Sequence, residues 1–114
     1  MSFFQEKKFN NVRPDGSATA VTLVATQVNS TRIVKNIFVS NSGAATEYGI
    51  YHSASSTVSA ALYHNVSISA SATAKISTYI PVESSGSPVV VIAKNPTLTF
   101  TAYGAEVIET PFNN

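Results

Sequence analysis

The sequence predicts an all-β protein, a single small sandwich of about seven or eight short strands. Three observations predict it. Segments with strand periodicity recur at spacings of about 8–14 residues, clusters of turn-forming residues separate them, and no long stretch has the period of a helix. At 114 residues the chain is long enough to close one core and has the size of one domain.

Each element has its own justification. Residues 1–16 stand apart: they hold Glu6, Lys7, Lys8, Arg13 and Asp15 interleaved with Phe3, Phe4 and Phe9. Three phenylalanines are not expected on a mobile tail, because exposed rings forgo their burial energy. The segment is therefore an arm that docks its rings on a neighbour or a strand along the edge of the sheet, and residues 17–114 form the sandwich. "RPDGS" is a turn, and residues 18–26 (ATAVTLVAT) read as the next strand. After "VNST", residues 31–40 (TRIVKNIFVS) alternate with the period of a strand and carry apolar residues on both parities, as expected where both sides are covered.

Further strands follow at 46–53 (TEYGIYHS), 62–69 (LYHNVSIS) and 73–82 (TAKISTYIPV), with turns at "SNSGAA" and "SASAT". The stretch "SASSTVSAA" reads as a loop. Two clear strands close the chain, 88–94 and 97–108, joined by a tight turn at Lys94-Asn95-Pro96. Proline donates no ladder bond, so Pro96 belongs in that turn and Pro88 at a strand start. Gly49 and Gly104 fall inside strand patterns and mark bulges or close approaches of backbones. In the last strand Leu98, Phe100, Ala102, Gly104 and Glu106 share one parity, suited to a core. The other parity offers Thr97, Thr99, Thr101, Tyr103, Ala105 and Val107, where a soluble monomer normally carries lysine and glutamate.

That shortage of charge runs through the whole chain. Charged residues make up 11%, against roughly 25% in typical domains, while 28 serines and threonines keep the chain polar. Little electrostatic repulsion keeps copies apart, which suits a protein that works inside an assembly. The net charge of +1 gives no basic field for a phosphate backbone, so nucleic acid is not an expected partner. The absence of cysteine excludes disulfides, thiolate metal sites and cysteine nucleophiles. The opening residues show no apolar run of signal-peptide length and include Glu6, and no stretch approaches a membrane span. The expectation is a protein made in the cytoplasm and assembled there into something larger, without a membrane partner.

The residues offer little for catalysis. His52 and His64 alone suit acid–base work at neutral pH or imidazole ligation of a metal. The nearest carboxylate in sequence, Glu47, faces the other side of a regular strand from His52, so no metal site is expected. Asp15 is the sole aspartate, and neither a "GxSxG" elbow nor a "GxxxxGK[ST]" loop occurs. Glu83, Glu106 and Glu109 lie near strand ends, where acids are expected to be solvated. The chain is not expected to be an enzyme or to hold a cofactor.

Contact residues are the alternative. Residues 48–74 contain no Asp, Glu, Lys or Arg yet include Tyr48, Tyr51 and Tyr63. Interface centres are depleted in charge and enriched in aromatics. Phe3, Phe4 and Phe9 and these three tyrosines are therefore the expected protein-contact residues.

The layout of "RIVKNIFVSNSGAATEYGIYHSASS", and of "SISASATAKISTYIPVESSGSPVVVIAKNPTLTFTAYGAEV" with its closing "LTFTAYGAEV" strand, resembles small all-β virion proteins of tailed bacteriophages. These are head decoration (cement) proteins and small tail or neck components, and the likeness covers residues 18–109. It implies an immunoglobulin-like or jelly-roll sandwich. It implies binding to the major capsid protein or other virion proteins, as a homo-oligomer on the particle, with no catalytic residue. Beside a capsid decoration role stand a tail, neck or fibre-associated subunit and a carbohydrate-binding sandwich that presents Tyr48, Tyr51 and Tyr63 to sugar rings.

Overall fold

The structure, a computed structural model, describes residues 2–17, 19–54 and 61–109, the side chains of residues 2–4 and 109 excepted. Eight strands build it: β1 (Ser2–Val12), β2 (Val21–Val24), β3 (Ser30–Asn41), β4 (Thr46–Tyr51), β5 (Ala61–Ile68), β6 (Thr73–Val82), β7 (Val89–Ala93) and β8 (Leu98–Glu109). Seven match the strands expected from periodicity, within a few residues at each end. The eighth is β1, formed by the charged N-terminal segment. It pairs with β8 from Ser2↔Glu109 to Val12↔Phe100, so this segment is an edge strand rather than a free arm. Of the loop expected at "SASSTVSAA", residues 55–60 lie outside the described residues.

The pairing is nested. β1 pairs with β8, β2 with β7, β3 with β6 and β4 with β5, all antiparallel. A long antiparallel ribbon has this pattern, and rolling it up brings β3 against β8 and β4 against β7. Two four-stranded sheets result, β1-β8-β3-β6 and β2-β7-β4-β5. That is the jelly-roll arrangement, one of the two sandwich types expected. One reading of the closing segment changes with it. The turn at Lys94-Asn95-Pro96 does not join partners in a hairpin, because β7 and β8 belong to different sheets.

Apolar side chains from the two inner faces fill the space between the sheets. Leu23, Val34, Ile37, Val39, Ile50, Val89, Val91, Leu98 and Phe100 are all but inaccessible to solvent. Each such side chain contributes about 1.5–3 kcal/mol relative to remaining exposed. β8 follows its predicted parity from Leu98 to Tyr103: Leu98, Phe100 and Ala102 are buried, and Tyr103 is exposed on the other side, whereas Ala105, of the outward parity, is buried as well.

Sheet β1-β8-β3-β6 carries a row of irregularities across its middle. Register shifts fall between Lys8 and Asn10 in β1 and between Val34 and Asn36 in β3, the latter against both β8 and β6. Extra residues of this kind bend and twist a strand. Beside them lies Gly104, where a Cβ would fall on the carbonyl oxygen of Ile33. The close backbone approach expected at Gly104 is thus between β8 and the bulged β3. Gly49 adjoins a register shift between β4 and β5 and lies beneath the ring of Tyr51, where a side chain would meet the phenol.

The topology gathers the segment 13–17 and the loops 42–45, 69–72 and 94–97 at one end of the sandwich. Buried Asn41 ties three of them together. Its amide nitrogen donates to the Ala44 and Ser69 carbonyls at 2.8 and 3.1 Å, and its oxygen accepts from Gly43 N and Thr97 Oγ1 at 3.0 and 2.9 Å. Arg13 fastens the fourth, donating to the Pro96 carbonyl at 2.9 Å and to Ser42 Oγ at 3.1 Å.

Candidate protein-contact surface

The expected contact residues fall into three groups. Phe3 and Phe4 hold backbone positions opposite Ile108 and Val107, and their side chains lie outside the described residues. Phe9 sits at the β1 register shift, half-buried against the core, with the Arg32 guanidinium 5.7 Å from its ring centre. Tyr48, Tyr51 and Tyr63 take positions that their chemistry alone did not distinguish from a contact surface. Tyr48 is 4% exposed and meets Phe100 edge-on at 5.8 Å. Burial pushes its phenol pKa up, and the neighbouring Tyr63 adds to the shift. Tyr51 is 3% exposed, with its hydroxyl 3.0 Å from His64 Nδ1. Tyr63 packs half-buried against the core.

Tyr48 and Tyr51 are thus nearly excluded from solvent within the chain itself, unlike the exposed rings the sequence led one to expect. The cause is that a folded interior and an interface centre draw on the same uncharged, aromatic residues. For the same reason these two rings form no platform for a sugar.

The histidines do not converge on one site either. His64 faces Tyr51, and His52 Nε2 lies 3.1 Å from the Ser87 carbonyl oxygen. Among the described residues, no group of three or more His, Cys, Asp or Glu is placed to hold a metal ion.

Glu106 departs most from its sequence reading, since it is not solvated. It lies 4% exposed on the inner side of β8. Lys7 Nζ reaches its Oε1 at 3.0 Å, while Arg32 Nε and Ser30 Oγ each reach its Oε2 at 2.9 Å. Burial alone raises the pKa of this carboxyl. The hydrogen bonds from Arg32, Lys7 and Ser30 outweigh that effect and lower it from 4.5 to about 2. Both oxygens are occupied by the protein's own donors, so this cluster is a structural clamp joining β1, β3 and β8.

The outer face of sheet β1-β8-β3-β6 carries exposed aromatic rings. Tyr79 on β6 is 68% exposed and Tyr103 on β8 is 40% exposed. Phe38 on β3 meets Tyr103 edge-on at 5.7 Å. A shallow depression of about 390 Å³ is lined by Asn36, Phe38, Lys75, Thr101 and Tyr103. The outward parity of β8 was legible in the sequence and pointed to Tyr103. Phe38 and Tyr79 were not singled out. β3 carries apolar residues on both parities, and the outward side of Phe38 is decided by Ile37 and Val39 entering the core.

No protein-family model matches the chain, and no curated protein matches it in sequence. Among solved structures, a similar chain is found in "Structure of infectious bursal disease virus Gx strain", with a TM-score of 0.49 and 12% identity over the whole of this chain. The present chain spans 34% of that chain's length.

Proposed function

We propose that this protein is a virion structural protein, a capsid decoration protein that stabilises a bacteriophage head by binding its major capsid subunits. One observation carries the reading: the outer face of sheet β1-β8-β3-β6 exposes Tyr79 and Tyr103 around Phe38, amid threonines. Exposed aromatic rings of this kind are enriched at interfaces relative to an ordinary solvated sheet. The jelly roll by itself does not choose among functions, since capsid proteins, lectins and cupins all use it. The low charge of the whole chain supports life in a crowded assembly, and the phage assignment rests on the layout of strands and turns over residues 18–109.

The action is mechanical. A protein that binds only the assembled lattice makes opening the shell more costly by its own binding free energy. Quantitative mass spectrometry of gradient-purified particles tests this. A copy number comparable to that of the major capsid protein supports decoration, and a few copies per particle assign the chain to the tail or neck. Absence from the particles overturns the proposal.

A further inference from the structure

We infer that the outer face of sheet β1-β8-β3-β6 docks an acidic protein segment, with an apolar side chain seated between Phe38 and Tyr103 and carboxylates reaching Lys8 and Lys75. The inference deepens the proposed function, because it names the surface and the partner chemistry of that same contact.

Register places the four residues. Lys8 of β1 stands opposite Tyr103 of β8, and Phe38 of β3 stands opposite Lys75 of β6. Phe38 and Tyr103 touch across β3 and β8. Each strand of the sheet thus contributes one member to a diagonal of cation, aromatic, aromatic, cation. Among the described residues neither lysine has an ion-pair or hydrogen-bond partner, whereas the neighbouring Lys35 pairs with Glu6 at 3.0 Å.

Charge is distributed unevenly over the molecule. Among the described side chains, the face holds Lys8, Lys35 and Lys75 against Glu6. The other described charges are four cations and four acids, so the excess of positive charge among the described side chains resides on this face. A second copy presenting the same face would meet like charge. An acidic partner would meet opposite charge at both ends of an apolar depression.

Geometry narrows the partner further. Strands lie about 4.8 Å apart and residues rise about 3.4 Å, so Lys8 and Lys75 stand about 16 Å apart at the backbone, with stems able to reach inward. In an extended segment, positions i, i+2 and i+4 share one side and span about 13 Å. Acids at i and i+4 with an apolar residue at i+2 fit this diagonal.

The test uses the full chain and a synthetic peptide with the core "ETLTE", followed by NMR at low ionic strength. Expected are shifts centred on Phe38, Tyr103 and Lys75, affinity that falls as salt rises, and a loss of about tenfold in Lys8→Glu/Lys75→Glu. The same variant should gain binding to a "KTLTK" peptide, which the unaltered protein does not bind. No binding of "ETLTE", shifts elsewhere, or an unchanged affinity in the double variant overturns the inference. So does tighter binding of oligothymidylate on the same residues, which would assign the face to nucleic acid. Particle occupancy keeps the two proposals apart. Full occupancy by the double variant rejects this face while leaving the virion role intact, and absence of the unaltered protein rejects the virion role while the peptide result stands alone.

Discussion

Two residues of β8, Gly104 and Glu106, show how much a single position can carry in this fold. A Cβ on Gly104 meets the Ile33 carbonyl, which the bulged β3 cannot withdraw without breaking its ladder. Gly104→Ala should cost about 2 kcal/mol or more, read by chemical denaturation. Gly86→Ala is the matched control, since the nearest atom to its added methyl is 3.5 Å away; it should stay within about 0.5 kcal/mol. Glu106 makes stability depend on acid. Its folded pKa of about 2 lies below the ordinary 4.5, so its contribution is complete above pH 4.5 and is lost as pH falls through about 2. Glu106→Gln should destabilise the protein by roughly 2–3 kcal/mol at neutral pH, by stranding Lys7 and Arg32, and should flatten that acid limb. A variant whose stability falls as steeply as the unaltered protein's over this range would remove Glu106 as the cause.

Among the elements, β1 takes the second of the two places the sequence left open, a strand along the edge of the sheet. An arm would be separable, and its removal would leave a folded sandwich. As an edge strand β1 satisfies the ladder of β8, brings Lys7 to Glu106 and lays Phe9 against the core. Deleting residues 1–12 should therefore lower the melting temperature by more than 10 °C, on the order of 2 kcal/mol or more for a domain of this size, or abolish folding. An unchanged melting curve would restore the arm. At the opposite end of β3, Asn41 holds three loops through four hydrogen bonds while nearly excluded from water. Asn41→Ala should cost about 2–3 kcal/mol, because the Ala44 and Ser69 carbonyls lose a buried donor. Increased amide exchange confined to loops 42–45, 69–72 and 94–97 is the expected signature.

For the molecule as a whole, the jelly roll divides the aromatics between an interior and a face. Tyr48→Asp places a charge in the core and should prevent folding, whereas Tyr103→Asp alters an exposed ring and should leave the circular dichroism of a β-protein unchanged. If the proposed contact is correct, the second variant folds and is depleted from particles. If Tyr48→Asp folds and Tyr103→Asp does not, the assignment of inner and outer faces is reversed.

Much of this was written locally. Period-2 alternation, turn clusters and the placement of Pro88 and Pro96 specify strands wherever each residue's neighbours in sequence are also its neighbours on a face. The inward and outward parities of β8 from Leu98 to Tyr103 follow from that alone. What local pattern does not carry is which strand lies beside which. β1 and β8 are adjacent in space and at opposite ends of the chain, and no short-range signal records such a pairing. Only the closed sandwich decided that a charged N-terminal segment completes a sheet and that Glu106 is buried among three donors. It likewise turned Tyr48 inward and left Tyr79 and Tyr103 outside. The physical reason is common to all of these: burial and ion pairing depend on the sum of contacts from distant strands, and the same aromatic or carboxylate serves inside or outside until those strands meet.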